Sequence, residues 1–247
     1  MSKENQKDCS DSTVIDISSV SKTFAARPVL KNIDFRIARG QSVCLCGVNG
    51  VGKSTLLRII TGLLQPDEGS VRICGYSVAG DPEKTKPRLG VISHKSMVYS
   101  DLTVFENLSF LANLYGVKNS TARVKELLAD VGLMPYRYDK AGILSRGLLQ
   151  RLAIARALVH QPTVLLADEP FTGLDADACK HLISVLSDFA QNAGTILMTT
   201  HDINIALKCC DRAVVLDKGS LIFDAMTADM DTDSFAQDYL SYARNKN

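Results

Sequence analysis

The sequence predicts an α/β fold with a mainly parallel sheet, a small antiparallel β subdomain and an inserted helical subdomain. Three observations lead to this prediction. The first part of the chain is a series of short strand-like segments separated by turns, which is typical of an antiparallel sheet. The middle carries apolar residues at helical spacing. The last part alternates strand-like and helix-like segments, which favours a parallel sheet.

The first half of the chain supplies most of the predicted strands. Residues 1–12 are polar and are expected to form a disordered tail. Thr13–Val20 alternates loosely and is interpreted as an edge strand. A glycine-rich loop at Gly47–Thr55 leads into a predicted helix, Leu56–Leu64, that should end before Pro66. The other strands predicted here are Val29–Ile37, Ser42–Cys46, Ser70–Ile73 and Leu89–Ser93, with a loop or short helix over 77–88.

The second half begins with a segment that lacks strand patterning. Apolar residues recur at helical spacing, which predicts a helical subdomain over about 95–158. One domain is expected to span 13–224, and the acidic tail 225–247 is expected to hold a short helix near Phe235–Tyr242. The elements predicted after the helical subdomain are the strands Thr163–Ala167 and Thr195–Thr199, the helices Ala176–Gln191 and Ile203–Cys209, and a hairpin, Ala213–Ile222, turning at Lys218-Gly219.

Bulk composition excludes several classes of protein. The formal net charge is +1, so no nucleic-acid partner is expected. No apolar run approaches the ~20 residues of a membrane-spanning helix, and residues 1–12 lack the apolar core of a signal peptide. The seven cysteines lack zinc-site spacing, so Cys44 and Cys46 are interpreted as small buried hydrophobes. We expect the protein on the cytoplasmic side of the membrane, held there by a partner.

The segment Gly47–Thr55 carries the pattern of a phosphate-binding loop, Walker A, between an apolar strand and a helix. Glycines allow successive N–H groups to face one anion, and the helix start adds partial positive charge. Lys53 is predicted to reach the β- and γ-phosphates of a nucleotide, and the Ser54 hydroxyl to bind Mg²⁺. The predicted nucleotide contacts are Gly47, Asn49, Gly50, Gly52, Lys53, Ser54 and Thr55.

An apolar strand runs directly into Asp168-Glu169-Pro170, the pattern of a Walker B site. Asp168 is predicted to hold Mg²⁺, and Glu169 to orient or deprotonate the attacking water. His201 follows another predicted strand, preceded by two threonines, at the sheet edge where ligands bind. We therefore predict that His201 contacts the γ-phosphate. These residues indicate a P-loop NTPase core that binds a nucleotide together with Mg²⁺.

Together these motifs resemble the ATP-binding cassette (ABC) family over about 14–224. The family's signature helix start is matched by Leu144-Ser145-Arg146-Gly147-Leu148. The resemblance implies that two chains sandwich two ATP molecules head to tail, so a second cassette chain is an expected partner. Ser145 and the Gly147 backbone would then contact the γ-phosphate held by the second chain, which fits anion binding at a helix start.

Other residues stand at positions that have a defined function in the family. Phe24 stands where an aromatic ring stacks on adenine, and Gly173-Leu174-Asp175 forms the dimer-contact loop. Leu102–Leu108 resembles the stretch that meets a multi-spanning membrane permease, the second expected partner. His94 stands where a glutamine usually reaches Mg²⁺, so it is predicted as a metal contact.

Three residues depart from the family pattern: His94, Arg146 in place of a signature glycine, and Leu148 in place of the signature glutamine. Ser93-His94 and Leu-Ser-Arg-Gly, with the sequence of 168–175, resemble cassettes of the haem exporter class used in cytochrome c maturation. Export cassettes of the ABC-2 type are similar. A soluble, non-transport cassette ATPase and a P-loop kinase are the other functions considered, and the kinase does not account for the signature helix.

Overall fold

The structure is a computed structural model that describes residues 12–93 and 97–230. The side chains of Ile203, Asn204 and Ala206 are also outside the description. The expected amino-terminal tail, apart from Ser12, and the helix expected near Phe235–Tyr242 lie outside the described residues. The predicted fold class is confirmed: the chain forms one antiparallel sheet and one mainly parallel sheet, with helices around the second.

The antiparallel sheet has four strands in the order β2-β1-β4-β5. Strand β1 pairs with β2 on one side and with β4 on the other, so the interpretation of this segment as an edge strand is wrong. Register shifts between Ile17 and Val20 interrupt its alternation, which explains why the sequence pattern looked loose. The strands are β1 (Thr13–Phe24), β2 (Arg27–Ala38), β4 (Glu68–Ile73) and β5 (Tyr76–Ser77).

The second sheet has six strands in the order β10-β9-β3-β8-β7-β6. Five of them run parallel, and β10 is antiparallel at one edge. All five parallel strands therefore present their carboxyl ends at one edge, where ligands bind in such sheets. The strands are β3 (Ser42–Cys46), β6 (Leu89–Ile92), β7 (Val164–Asp168), β8 (Thr195–Thr200), β9 (Arg212–Asp217) and β10 (Ser220–Met226).

Seven α-helices connect and cover the described strands. Three of them fall in the region predicted to be a helical subdomain, and α3 packs against both α4 and α5. In the described part of the chain, no helix combines the length and the apolar character needed to cross a lipid bilayer. The helices are α1 (Lys53–Ile60), α2 (Pro82–Thr85), α3 (Val104–Leu114), α4 (Ser120–Asp130), α5 (Arg146–Leu158), α6 (Ala176–Gln191) and α7 (Ile203–Cys209).

The parallel sheet separates two hydrophobic cores. Successive residues of β3 point to opposite faces, so Val43 and Leu45 join a core with α1 and the antiparallel sheet. Cys44 and Cys46 join the other core, under α3 to α6. Both thiols are free and fully buried, with sulfur atoms 3.5 Å apart. Burial among other thiols raises the pKa of the Cys44 thiol, led by its hydrogen bond with Cys210. This agrees with their predicted role as small hydrophobes.

Several predicted boundaries differ from the structure by a few residues, and helix α1 and strand β10 are the clearest cases. Helix α1 begins at Lys53 rather than Leu56, because Gly52 caps it and the end of the phosphate loop is already helical. It ends at Ile60 because Gly62 adopts a φ of 73° and its N–H bonds to Ile59, a turn that stops a helix before any proline is needed. Strand β10 continues to Met226, two residues past the expected domain end at 224.

Candidate nucleotide site

The loop between β3 and α1 is shaped by its glycines. Gly50 and Gly52 have φ values of 78° and 117°, which L-residues with a side chain rarely adopt. A Cβ atom on Gly47 would lie 2.6 Å from the backbone oxygen of Leu216, so only glycine fits there. Asn49 and Gly50 are exposed at the tip. The loop therefore has the tight, open form that an anion requires.

Lys53 is the first residue of α1 and its side chain is only 6% exposed. Its Nζ donates to the Gly47 carbonyl at 2.5 Å and lies 3.4 Å from Oε1 of Glu169. The ammonium group is thus held inside the loop rather than in solvent. A cation in this position can meet phosphate oxygens that enter the loop.

Ser54 and Asp168 meet although they are far apart in sequence. Ser54 follows β3 and Asp168 ends β7, and the two strands flank β8. The Ser54 hydroxyl donates to Asp168 Oδ1 at 3.1 Å, and Thr199 on β8 donates to the same oxygen at 2.6 Å. A hydroxyl and a carboxylate are the hard oxygen donors that Mg²⁺ prefers. The donor set therefore fits the predicted metal.

Glu169 occupies a strained backbone position. Its φ is 49°, in the left-handed region, which costs a residue with a side chain about 1–3 kcal/mol. Its N–H donates to Thr199, and its Oε2 lies 2.8 Å from His201 Nδ1. Oε1 is buried and accepts no hydrogen bond in the described part of the chain, with Lys53 as its nearby cation. The carboxylate is therefore fixed between two cationic or polar groups and keeps one oxygen for other use.

These contacts bring five predicted residues into one cluster: Lys53, Ser54, Asp168, Glu169 and His201. Thr55, also predicted, is half-buried in the first turn of α1. The cluster combines a phosphate loop, oxygen donors for a metal, and a carboxylate beside an imidazole. Such a site can bind a triphosphate and activate water.

Phe24 lies elsewhere, at the end of β1 in the antiparallel sheet, and its ring is 42% exposed. Lys22 lies 5.6 Å from the ring centroid and pairs with Asp67, which also accepts the Thr23 N–H. These two donors, Lys22 first, lower the pKa of the Asp67 carboxyl. Asp67 therefore stabilises the end of the strand that carries Phe24. The sequence alone did not predict this contact.

Ser145 and Gly147 lie at the start of α5, and within residues 12–93 and 97–230 neither hydrogen-bonds to the five-residue cluster. Ser145 caps the helix by accepting the Leu148 N–H at 3.4 Å. The nearest atom to a Cβ added on Gly147 would be 4.0 Å away, so packing within the chain does not require glycine there. The helix start is thus open to a group from outside the chain.

Arg146, which stands in place of a signature glycine, turns back onto its own chain. Its guanidinium lies against Gly173, where an added Cβ would fall 2.3 Å from Nη2, and it donates to the Thr172 carbonyl at 3.4 Å. Gln150 of the same helix donates to the Pro170 carbonyl at 3.1 Å. The signature helix is therefore tied to the segment that follows Glu169.

His94 lies outside the described residues, so its predicted contact with Mg²⁺ stays a prediction. Thr199, which bonds to both acids, was noticed in the sequence only as one of two threonines before His201. Its partners lie on another strand, and no local motif signals such a contact.

The fold and this site define a P-loop ATPase. A family model described as "ABC transporter" matches residues 30–172, more than half of the chain. The chain belongs to this family as an ATP-binding subunit. A second model, described as "AAA domain, putative AbiEii toxin, Type IV TA system", matches residues 140–207. The chain is thus an ATPase that uses ATP, normally with Mg²⁺.

Curated relatives include both import and export proteins. The phosphonates import ATP-binding protein PhnC of Escherichia coli O157:H7 is 33% identical, and the match covers 94% of this chain and 96% of the relative. The Nod factor export ATP-binding protein I of Burkholderia lata is 37% identical, covering 84% and 69%. The linearmycin resistance ATP-binding protein LnrL of Bacillus subtilis (strain 168) is 31% identical, covering 85% and 68%.

Solved structures share most of the fold. The structure of an ATP-binding subunit of an ABC transporter has a TM-score of 0.84 at 28% identity, covering 92% of this chain and 100% of that chain. The cassette MJ0796, solved as a dimer in a post-hydrolysis state with ADP and Pi, has a TM-score of 0.78 at 30% identity, covering 86% and 98%. CbiO1 from Clostridium perfringens, part of the CbiONQ transporter complex, has a TM-score of 0.80 at 27% identity, covering 95% of each.

Proposed function

We propose that this chain is the motor of a membrane transporter: two copies bind two ATP molecules head to tail, and hydrolysis drives a multi-spanning permease on another polypeptide. One observation carries the proposal. The chain assembles a complete hydrolytic cluster at one sheet edge, while its signature helix start, at Ser145 and Gly147, is open and without partners in that cluster. Such a helix start completes a site on a second chain.

The phosphate loop is the proposed binding element. Backbone N–H groups over Gly47–Thr55 would surround the β-phosphate, and Lys53 would supply a cation to the β- and γ-phosphates. Because Lys53 is already held inside the loop by the Gly47 carbonyl, little side-chain freedom is lost when a phosphate arrives. Phe24, on the separate antiparallel sheet, is the proposed platform for the adenine ring.

Ser54 and Asp168 are the proposed holders of Mg²⁺, with His94 as a further predicted contact. When bound, the metal supplies positive charge to the phosphate oxygens. Asp168 Oδ1 already accepts two hydroxyl hydrogen bonds, from Ser54 and Thr199. Its second oxygen is therefore the one available to the metal or to a metal-bound water.

Glu169 is the proposed general base. It would accept a proton from the water that attacks the γ-phosphorus, and the bond from the γ-phosphorus to the bridging oxygen of ADP would break. His201, 2.8 Å from Oε2, holds the carboxylate in place and has 53% of its side chain exposed. That exposed imidazole is the proposed contact to the γ-phosphate.

The permease surface is proposed on the helical subdomain. The predicted contact stretch, Leu102–Leu108, is itself largely internal, since Val104, Asn107 and Leu108 are fully buried. Exposed apolar side chains flank it instead, and such clusters mark protein interfaces. They are Met97, Tyr99, Phe110 and Leu114, which are 61%, 51%, 47% and 67% exposed. Through this surface the chain would sit peripherally on the cytoplasmic side of the membrane.

Export, and a haem-linked cargo in particular, is the narrower hypothesis. It rests on Ser93-His94, on Arg146 and on the sequence of 168–175, which resemble the haem exporter class. Co-purification with a permease, followed by transport assays in vesicles of both orientations, tests the direction. A chain recovered without any membrane protein would instead favour a non-transport cassette ATPase.

The dimer is tested with Glu169→Gln. The amide cannot accept a proton, so ATP should bind without turnover and hold two chains together. We expect light scattering after size-exclusion chromatography to show a dimer with Mg-ATP and a monomer with ADP. Lys53→Ala in the same background is the control and should stay monomeric, because the loop loses its fixed cation. A Glu169→Gln chain that stays monomeric at saturating Mg-ATP would count against the sandwich.

A further inference from the structure

We propose that Thr199 is a positioning residue that fixes both acids of the hydrolytic site at once. It lies on β8, is fully buried, and is next to the end of β7 in the parallel register, where it pairs with Asp168. Its hydroxyl oxygen lies 2.6 Å from Asp168 Oδ1 and 3.1 Å from the Glu169 nitrogen. One side chain thus contacts the proposed metal ligand and the proposed base.

The direction of each hydrogen bond follows from chemistry. The Glu169 nitrogen can only donate, so the Thr199 oxygen accepts there. The Asp168 carboxylate can only accept, so the single hydroxyl proton of Thr199 must point to it. The hydroxyl therefore has one possible orientation, and both of its functions would be lost together if the oxygen were removed.

The bond to Asp168 fixes the orientation of its carboxylate. Thr199 and Ser54 both donate to Oδ1, so that oxygen is held by hydroxyl groups from two different elements, β8 and α1. Hydrogen bonds of this kind, behind a metal ligand, set its orientation, and their loss typically costs 10–100-fold in metal affinity or activity.

The bond to Glu169 supports a strained backbone. At a φ of 49° this residue needs help from its surroundings, and its N–H is shared between the carbonyl oxygen of Thr199 at 3.2 Å and the hydroxyl at 3.1 Å. The left-handed turn directs the carboxylate toward His201. Removing the hydroxyl leaves the carbonyl acceptor in place, so the strand should persist while the turn becomes less well fixed.

The chain offers a matched control in the same strand. Thr195 is also fully buried, and its hydroxyl accepts the Gly40 N–H at 3.0 Å, but it lies at the other end of β8. Threonine is common in strands for its shape alone. Comparison of Thr199→Val with Thr195→Val therefore separates loss of a buried hydroxyl from loss of acid positioning.

The test uses the full chain and Mn²⁺ as the metal probe. Mn²⁺ affinity is measured by electron paramagnetic resonance in the presence of ADP, and kcat and KM by ATP turnover with Mg²⁺. For Thr199→Val we expect Mn²⁺ affinity and kcat each to fall about 10–100-fold. Nucleotide affinity in EDTA should change by less than about twofold, since the phosphate loop is untouched. Thr199→Ser should restore the metal affinity, and Thr195→Val should leave it unchanged.

Three results would overturn the proposal. The first is Mn²⁺ affinity and kcat in Thr199→Val within about twofold of the wild type. The second is an equal loss in Thr195→Val, and the third is no rescue by Thr199→Ser. Either of the last two would mean that Thr199 only packs in the strand. If Thr199→Val does not fold, Thr199→Ala carries the same expectation. A wild-type chain without ATP turnover would contradict the ATPase assignment itself, and the Mn²⁺ measurement would still decide the question about Thr199.

Discussion

Asn107 allows a stability prediction that can be worked out from individual contacts. It is a fully buried polar residue of α3, and its side chain makes four hydrogen bonds to the loop before the helix. Oδ1 accepts the Tyr99 N–H at 2.9 Å. Nδ2 donates to the carbonyls of Tyr99, Leu102 and Thr103 at 3.0, 3.3 and 3.0 Å. The side chain thus holds both ends of the segment 99–103 to the helix.

Replacing Asn107 with alanine should orphan only one group. The three carbonyls keep other donors: Leu102 N–H for Tyr99, Ala141 N–H for Leu102, and the helical N–H of residue 107 for Thr103. The Tyr99 N–H loses its acceptor, which costs about 1–3 kcal/mol. The three hydrogen bonds that Nδ2 donates are also lost, and their net contribution to stability adds to this cost. We therefore expect the free energy of unfolding to fall by roughly 2–4 kcal/mol. That corresponds to roughly 4–8 °C in melting temperature for a chain of this size.

The assay is urea unfolding followed by circular dichroism, with thermal melting as a second measure. Asn113→Ala is the control, because Asn113 lies on the same helix but is exposed, and alanine there should stabilise by a few tenths of a kcal/mol. Asn107→Asp should be at least as destabilised as Asn107→Ala, since a carboxylate oxygen would face three carbonyls. Asn107→Ala with the stability of Asn113→Ala would refute the reasoning, because it would mean that the segment 99–103 does not depend on this side chain.

Two further predictions concern stability. Burial lowers the pKa of His160, whose ring stacks on Tyr115 at 4.1 Å and bonds to a carbonyl through Nε2. The unfolded chain then binds more protons, so stability present above pH ~6.5 is lost as the pH falls further. His160→Phe should make the fall in melting temperature between about pH 7 and pH 5 shallower. The pKa of His181 is lowered as well, so part of the pH dependence should remain in the variant. A variant with the pH dependence of the wild type would contradict this prediction. Ala25 and Ala26 form the two-residue turn between β1 and β2, with φ values of 46° and 64°. Asn and Gly adopt such positive φ values more easily than Ala does. The double substitution Ala25→Asn with Ala26→Gly should therefore raise the free energy of unfolding, measured by urea titration, by about 1–2 kcal/mol. No gain would show that the turn is not strained.

Local patterns predicted the fold class and named the five residues that the structure brings together in the candidate site. The phosphate loop and the strand that ends in Asp168 are continuous in sequence, so their glycine spacing, apolar runs and acids can be recognised directly. Ser54 and Asp168 were each predicted to bind Mg²⁺, and the structure brings them together because parallel strands end at a common edge.

Non-local pairing was beyond the sequence patterns. The central position of β1 depends on which strands pair with it, and its bulges hide the period-two alternation. Thr199 was missed because its function depends on a neighbouring strand. The burial of Asn107 could not be predicted either. A polar residue between apolar ones suggests an exposed position, whereas Asn107 is buried and its side chain is hydrogen-bonded.

The arrangement of β3 has a consequence for how the protein can change over time. Val43 and Leu45 face the core shared with the antiparallel sheet, while Cys44 and Cys46 face the core beneath the helices. A sheet one residue thick lies between the two cores, so a volume change in one has few direct contacts through which to disturb the other. The core beside the phosphate loop and the helical side that carries the proposed permease surface can therefore accumulate substitutions at separate rates. Under the proposed function, a lineage could adapt the outer surface of its helical subdomain to a new permease while the phosphate loop stays unchanged.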